Sequence, residues 1–214
     1  MKGQVYIFDL DGTLIDSMPT GVGIVLSFLE EQGISYPDDM VKKLTPLGYK
    51  GTAAYYVNTL GVQTPVEEVY GYFQEKTKVA YGEYIPLKKG VAKTLYALRE
   101  KGCRLNILTA SPHALMDICL KRLGVYELFE NIWSIDDFGL TKADEKIYTT
   151  IAERLGVTPQ KCIMADDNVN VLKTAKRVGM QTVGVYDESA KDEVEEMQAV
   201  ADLYVRELSE LIEE

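Results

Sequence analysis

Asp9 and Asp11 stand two residues apart at the end of the apolar run Val5-Tyr-Ile-Phe8, with Gly12 allowing a tight turn into Thr13. Carboxylates this close in a dehydrated pocket repel, which raises one pKa unless a cation is present. A divalent ion fixes one of them as an anion able to act as a nucleophile. The other, facing away from the ion, can exchange a proton as a general acid and base. Asp166 and Asp167 follow another apolar run and offer further oxygen ligands. Oxygen ligands without His or Cys suit Mg²⁺. Thr109 ends a third run. Its hydroxyl and the N–H groups after it, at a helix entered through Pro112, form a seat for an anion, with a phosphoryl group as the obvious occupant.

The elements that must position these residues follow from the hydrophobic pattern. Arg104-Leu-Asn-Ile-Leu108 runs into Thr109, Cys162-Ile-Met-Ala165 into Asp166, and Thr182-Val-Gly-Val-Tyr186 into Asp187, each reading as a buried strand that stops in a polar turn. Between them lie helical patterns that end at Gly102, Gly124, Gly156 and Gly179. Strands and helices alternating at this spacing predict an α/β fold with a doubly wound, mostly parallel sheet. Ligands of such sheets bind beyond the carboxyl ends of the strands, where Asp9, Thr109 and Asp166 all fall.

No strand pattern interrupts residues 17–84, where Gly21 to Glu31, Thr52 to Leu60 and Val66 to Gly82 are helix-like. The predicted organisation is a core of residues 1–16 and 85–214 with an inserted α-helical domain of residues 17–84. Seven tyrosines of the insert (Tyr49, Tyr55, Tyr56, Tyr70, Tyr72, Tyr81 and Tyr84) are expected to close a small core with their hydroxyls outward; a stacking platform for a substrate is the alternative.

Composition narrows the chemistry. Among 214 residues there are 23 basic and 33 acidic side chains, a net charge of −10, which argues against a general surface for nucleic acid or anionic membrane. The longest apolar run, Gly21 to Leu26, is far short of a bilayer span, and the N-terminus reaches Asp9 too soon for a signal peptide. A cytoplasmic location is expected. Cys103, Cys119 and Cys162 are scattered among apolar residues, and His113 is the one histidine, so zinc sites of the usual kind are excluded.

Four segments resemble motifs of the haloacid dehalogenase (HAD) superfamily, in order and over nearly the whole chain: Phe8-Asp-Leu-Asp-Gly-Thr-Leu-Ile-Asp-Ser17, Leu108-Thr-Ala-Ser111, Lys142-Ala-Asp-Glu-Lys-Ile-Tyr148 and Ala165-Asp-Asp-Asn168. The helical insert resembles the small cap of the phosphoglycolate phosphatase and β-phosphoglucomutase branch. The resemblance implies that Asp9 attacks phosphorus to form an aspartyl-phosphate. Asp11 then protonates the leaving oxygen and activates water, its backbone carbonyl also binding Mg²⁺. It further implies that Thr109 and the N–H of Ala110 hold phosphoryl oxygens, that Lys142 neutralises charge, and that Asp166 and Asp167 complete the metal site with Asp9. Thr13, Ser111 and Lys50 are the further substrate-binding candidates, Lys50 for a second anionic group. Lys142 fits the third motif better than Lys146. Asn170 stands where many relatives carry an Asp, which passes the second outer carboxylate to Asp167.

The implied activity is a Mg²⁺-dependent phosphatase acting on a small phosphorylated metabolite. A sugar phosphomutase and a phospho-ligand sensor without catalysis are the alternatives. Asp11 argues against a dehalogenase, which has no leaving alkoxide to protonate.

Overall fold

The structure, a computed structural model, describes residues 3–37, 39–44 and 47–213. The chain divides into two compact units, Met1–Asp16 with Pro86–Glu214, and Ser17–Ile85. In chain order the elements are β1 (Val5–Phe8), α1 (Met18–Glu31), α2 (Met40–Leu44), α3 (Gly48–Asn58), α4 (Val66–Glu83), α5 (Val91–Glu100), β2 (Arg104–Thr109), α6 (His113–Arg122), β3 (Asn131–Ser134), α7 (Glu145–Arg154), β4 (Cys162–Asp166), α8 (Val169–Arg177), β5 (Gln181–Val185), α9 (Val194–Val200) and β6 (Leu203–Val205).

The larger unit is built on one six-stranded sheet in the order β3-β2-β1-β4-β5-β6, every pairing parallel. This is the doubly wound α/β arrangement that the sequence predicts. All four residues of β1 and all five of β4 are buried, as expected of strands covered on both faces. On one side Ile147, Tyr148 and Ile151 of α7 and Leu172 and Ala175 of α8 pack with Val5, Ile7 and Met164. The order of strands reverses beside β1, so the crevice beyond the carboxyl ends of β1 and β4 is where the topology makes room for a ligand.

Two strands carry no clear sequence signal. β3 and β6 are the sheet's edges, four and three residues long. An edge strand has one neighbour and need not be apolar throughout; Leu203 of β6 is in fact exposed.

The helical unit packs α1, α3 and α4 around an aromatic cluster. The Phe28, Tyr56 and Phe73 ring centroids lie 5.9–6.0 Å apart, with Tyr49 5.5 Å from Phe73. The expectation that the tyrosine hydroxyls face outward fails at the centre of this cluster. Tyr56 is wholly buried and donates to the Val25 carbonyl at 2.8 Å, while the Tyr49 hydroxyl accepts from Thr77 at 3.0 Å. A buried phenol must find such an acceptor, and the Val25 carbonyl of α1 supplies it. Ile85, expected in the core segment, falls within the helical unit: its amide donates to the Ala80 carbonyl near the end of α4. Among the described residues no helix is long and apolar enough to cross a membrane.

Candidate active site

The carboxyl ends of β1 and β4 bring three aspartates together. The Asp9 amide continues the sheet ladder by donating to the Ala165 carbonyl at 2.9 Å, which sets Asp9 beside Asp166, the last residue of β4. Asp9, Asp166 and Asp167 are all buried, and each offers an oxygen within 4.8 Å of the others. The Lys142 ammonium lies between two of them, donating to Asp9 Oδ1 and, at 2.9 Å, to Asp166 Oδ2. The other Asp166 oxygen accepts from the Asn168 amide at 2.9 Å, and the Asn168 side chain caps α8 through the Asn170 amide.

Lys142 reaches in from a turn that its own sequence builds. Asp144 accepts from both the amide and the hydroxyl of Thr141 at 2.9 Å, and the buried Tyr148 hydroxyl donates to the Lys142 carbonyl at 2.7 Å. Lys146, four residues on, is exposed on α7.

The first turn is equally constrained. Gly12 has φ +80°, and a Cβ there would stand 2.7 Å from Asp167 Oδ2, so glycine is required by conformation and by close approach. Thr13 is fully buried and donates to Asp167 Oδ1 at 2.8 Å. Its hydroxyl thus fixes a carboxylate of the cluster. At the end of β2 the Thr109 hydroxyl accepts from the Ser111 amide at 3.0 Å, and the Ser111 hydroxyl donates to Asp11 Oδ2 at 2.6 Å. Ser111, expected to touch substrate, thus also joins the second motif to Asp11 of the first. Ala110 is exposed at the same turn.

Four residues singled out in the sequence stand outside the carboxylate cluster. Among the described residues the clustered carboxylates are those of Asp9, Asp166 and Asp167, without that of Asp11. Asn170 is exposed at the start of α8. Lys50 is exposed on α3 of the helical unit. His113 begins α6 as a half-exposed residue paired with Asp137 at 2.9 Å.

Charge explains what the cluster can hold. Three carboxylates against one ammonium leave an excess of two negative charges when all are ionised. Burial pushes the Asp9 carboxyl well above its usual range, against the pull of Lys142, and Asp166, Asp167 and Asp11 push the same way. Asp167 is pushed up to about 7 by burial and by Asp166. Burial alone would lower Lys142, but the carboxylates of Asp166 and Asp9 hold it above its ordinary value. A divalent cation removes the excess, and three oxygen donors without nitrogen or sulfur fit Mg²⁺.

Comparison with known proteins agrees with this geometry. The profile of the haloacid dehalogenase-like hydrolases matches residues 4–179. A phosphoglycolate phosphatase of Xanthomonas campestris is 27% identical over 84% of this chain and 81% of its own length. A phosphorylated carbohydrates phosphatase of Thermotoga maritima is 24% identical over 84% and 83%. A solved Thermotoga maritima structure named as a β-phosphoglucomutase superposes with a TM-score of 0.83 at 24% identity, covering 98% of this chain and 96% of that one. The chain therefore belongs to the haloacid dehalogenase-like hydrolases.

Proposed function

We propose that this chain is a Mg²⁺-dependent phosphatase that hydrolyses a small phosphomonoester through an aspartyl-phosphate on Asp9. The observation that carries the reading is Asp9 held with Asp166 by Lys142, in a buried cluster completed by Asp167. Relatives that carry the names of phosphoglycolate and phosphorylated-carbohydrate phosphatases support the substrate class.

Asp9, Asp166 and Asp167, with the Asp11 carbonyl, would hold Mg²⁺, which when bound supplies positive charge against the phosphoryl oxygens. The rest is the work of side chains. An Asp9 oxygen attacks phosphorus, and the bond from phosphorus to the ester oxygen breaks. Asp11 gives its proton to the departing oxygen, which leaves as the alcohol. Ionised Asp11 then takes a proton from water as that water attacks phosphorus. Inorganic phosphate departs, Asp9 is restored as a carboxylate, and Asp11 is protonated again. Lys142 reduces the repulsion between the nucleophile and the phosphoryl group, and Thr109 with the Ala110 amide receives phosphoryl oxygens; each such contact is worth about 3 kcal/mol of barrier. The helical unit is assigned the selection of substrate, with Lys50 as its cationic group.

The test is phosphate release from a panel of phosphorylated metabolites, with and without Mg²⁺, for the wild type and Asp9→Asn. Metal-dependent release that the substitution abolishes is the expected result. Transfer of the phosphoryl group to a second sugar hydroxyl, with little phosphate freed, would replace the phosphatase with a mutase. Turnover unaffected by Asp9→Asn would end the reading.

A further inference from the structure

Lys88 lies beyond the four motifs, yet its ammonium is directed at the first of them. Nζ donates to the Gly12 carbonyl at 2.6 Å, to the Tyr186 carbonyl at 2.6 Å and to Asp187 Oδ2 at 2.9 Å. An ammonium has three donors, and these three acceptors use all of them. The backbone joins in: the Lys88 amide donates to Leu14 at 2.9 Å, the Asp16 amide donates to Pro86 at 3.0 Å, and Ile15 bridges Leu87 in antiparallel sense. The segment 86–88 is thus laced along residues 14–16, and the side chain continues the lacing to Gly12.

Gly12 sits between Asp11, proposed to transfer the proton, and Thr13, which holds Asp167, and a Cβ at Gly12 would stand 2.7 Å from the Asp167 carboxylate. The far end of the tether is rigid as well. Asp187 is buried, follows β5, and accepts from the amide and hydroxyl of Ser189 at 2.9 and 2.6 Å. Burial alone would raise its carboxyl, but the bonds from Ser189 and Lys88 hold it below the usual range. Lys88 also cancels a negative charge that would otherwise add to the repulsion on Asp167.

We propose that Lys88 is a positioning residue for the phosphoryl-transfer site: it ties the turn of Asp11, Gly12 and Thr13 to the end of β5, and so holds Asp11 in place and Asp167 ready for a divalent cation. This rests on the function proposed above. An arginine or a neutral side chain does not replace it, because a compact charge with three separate donors is what the three acceptors match.

Removing Lys88 alone strands the buried charge of Asp187 and endangers the fold. The decisive comparison is therefore Asp187→Asn, which keeps the tether to both carbonyls, against Lys88→Met with Asp187→Asn, which loses it. Three quantities are read: Mg²⁺ affinity by titration calorimetry, amide exchange of residues 12–15 in the metal-free protein, and kcat and KM at saturating Mg²⁺. Relative to Asp187→Asn, the double variant is expected to bind Mg²⁺ about tenfold more weakly and to exchange those amides faster. Its kcat falls about tenfold with KM little changed, since Thr109 and Lys142 are untouched. A double variant equal to Asp187→Asn in all three overturns the role of Lys88 while leaving the phosphatase intact. A wild type that neither binds Mg²⁺ nor releases phosphate brings down the function first, and the proposal with it.

Discussion

The Ser111 hydroxyl donates to Asp11 Oδ2 at 2.6 Å, so the turn after β2 holds a carboxylate that the turn after β1 supplies, the one proposed above to transfer the proton. The two residues are a hundred positions apart in sequence, and parallel pairing of β1 with β2 makes them neighbours. A hydrogen bond to a charged group contributes about 1.5–3 kcal/mol. Ser111→Ala is expected to lower kcat by about ten- to a hundredfold with the melting temperature little moved. Steady-state kinetics beside a thermal melt separates the two. An unchanged kcat would mean that Asp11 needs no such anchor.

Lys142 and Lys146 make an internal control. Lys142 contacts Asp9 and Asp166, whereas Lys146 is exposed. Lys142→Met is expected to lower kcat/KM by about a thousandfold, and Lys146→Met by less than about threefold. Equal losses from the two would remove Lys142 from the site.

Gly12→Ala puts a side chain at φ +80° and a Cβ 2.7 Å from the Asp167 carboxylate. The backbone conformation alone costs about 1–2 kcal/mol. The substitution is expected to lower the urea midpoint and to weaken Mg²⁺ uptake together. Loss of stability with Mg²⁺ affinity intact would show that Asp167 does not serve the metal.

Four of the strands are legible in the sequence because each is buried on both faces and ends abruptly in charge or hydroxyl. That same abruptness marks Asp9, Thr109 and Asp166, so the strand ends and much of the site are read together. What escapes is direction. Thr13 and Ser111 are polar residues in the right turns, but sequence does not say that the Thr13 hydroxyl is spent on Asp167 or that Ser111 reaches Asp11. Lys88 escapes for a related reason: its three acceptors come from two distant turns, and no local period or spacing announces it. The strands β3 and β6 are missed because their short, mixed segments are stabilised by one neighbouring strand rather than by burial on every side.

With Asp9, Asp166 and Asp167 as the proposed Mg²⁺ ligands, stabilisation by Mg²⁺ is expected to depend on pH. The metal-free Asp167 carboxyl is pushed up to about 7 from an ordinary 3.8, by burial first and then by Asp166. A group raised in the folded state contributes stability that is fully present below its unfolded value and lost as pH climbs through the folded one. The metal-free protein therefore loses this contribution between about pH 4 and 7. Mg²⁺ needs the ionised form, so it is expected to raise the melting temperature more at about pH 8 than at about pH 5.5. Equal increments at the two pH values would contradict the assignment.

The most direct measurement is the chemical state of Asp9 during turnover. Wild-type protein mixed with Mg²⁺ and its best phosphomonoester, quenched in acid and digested, should yield the peptide bearing Asp9 heavier by one phosphoryl group. Borohydride should then reduce that residue to homoserine. Mg²⁺-dependent phosphate release with Asp9 unmodified throughout, and undiminished in Asp9→Asn, would contradict the account at its centre.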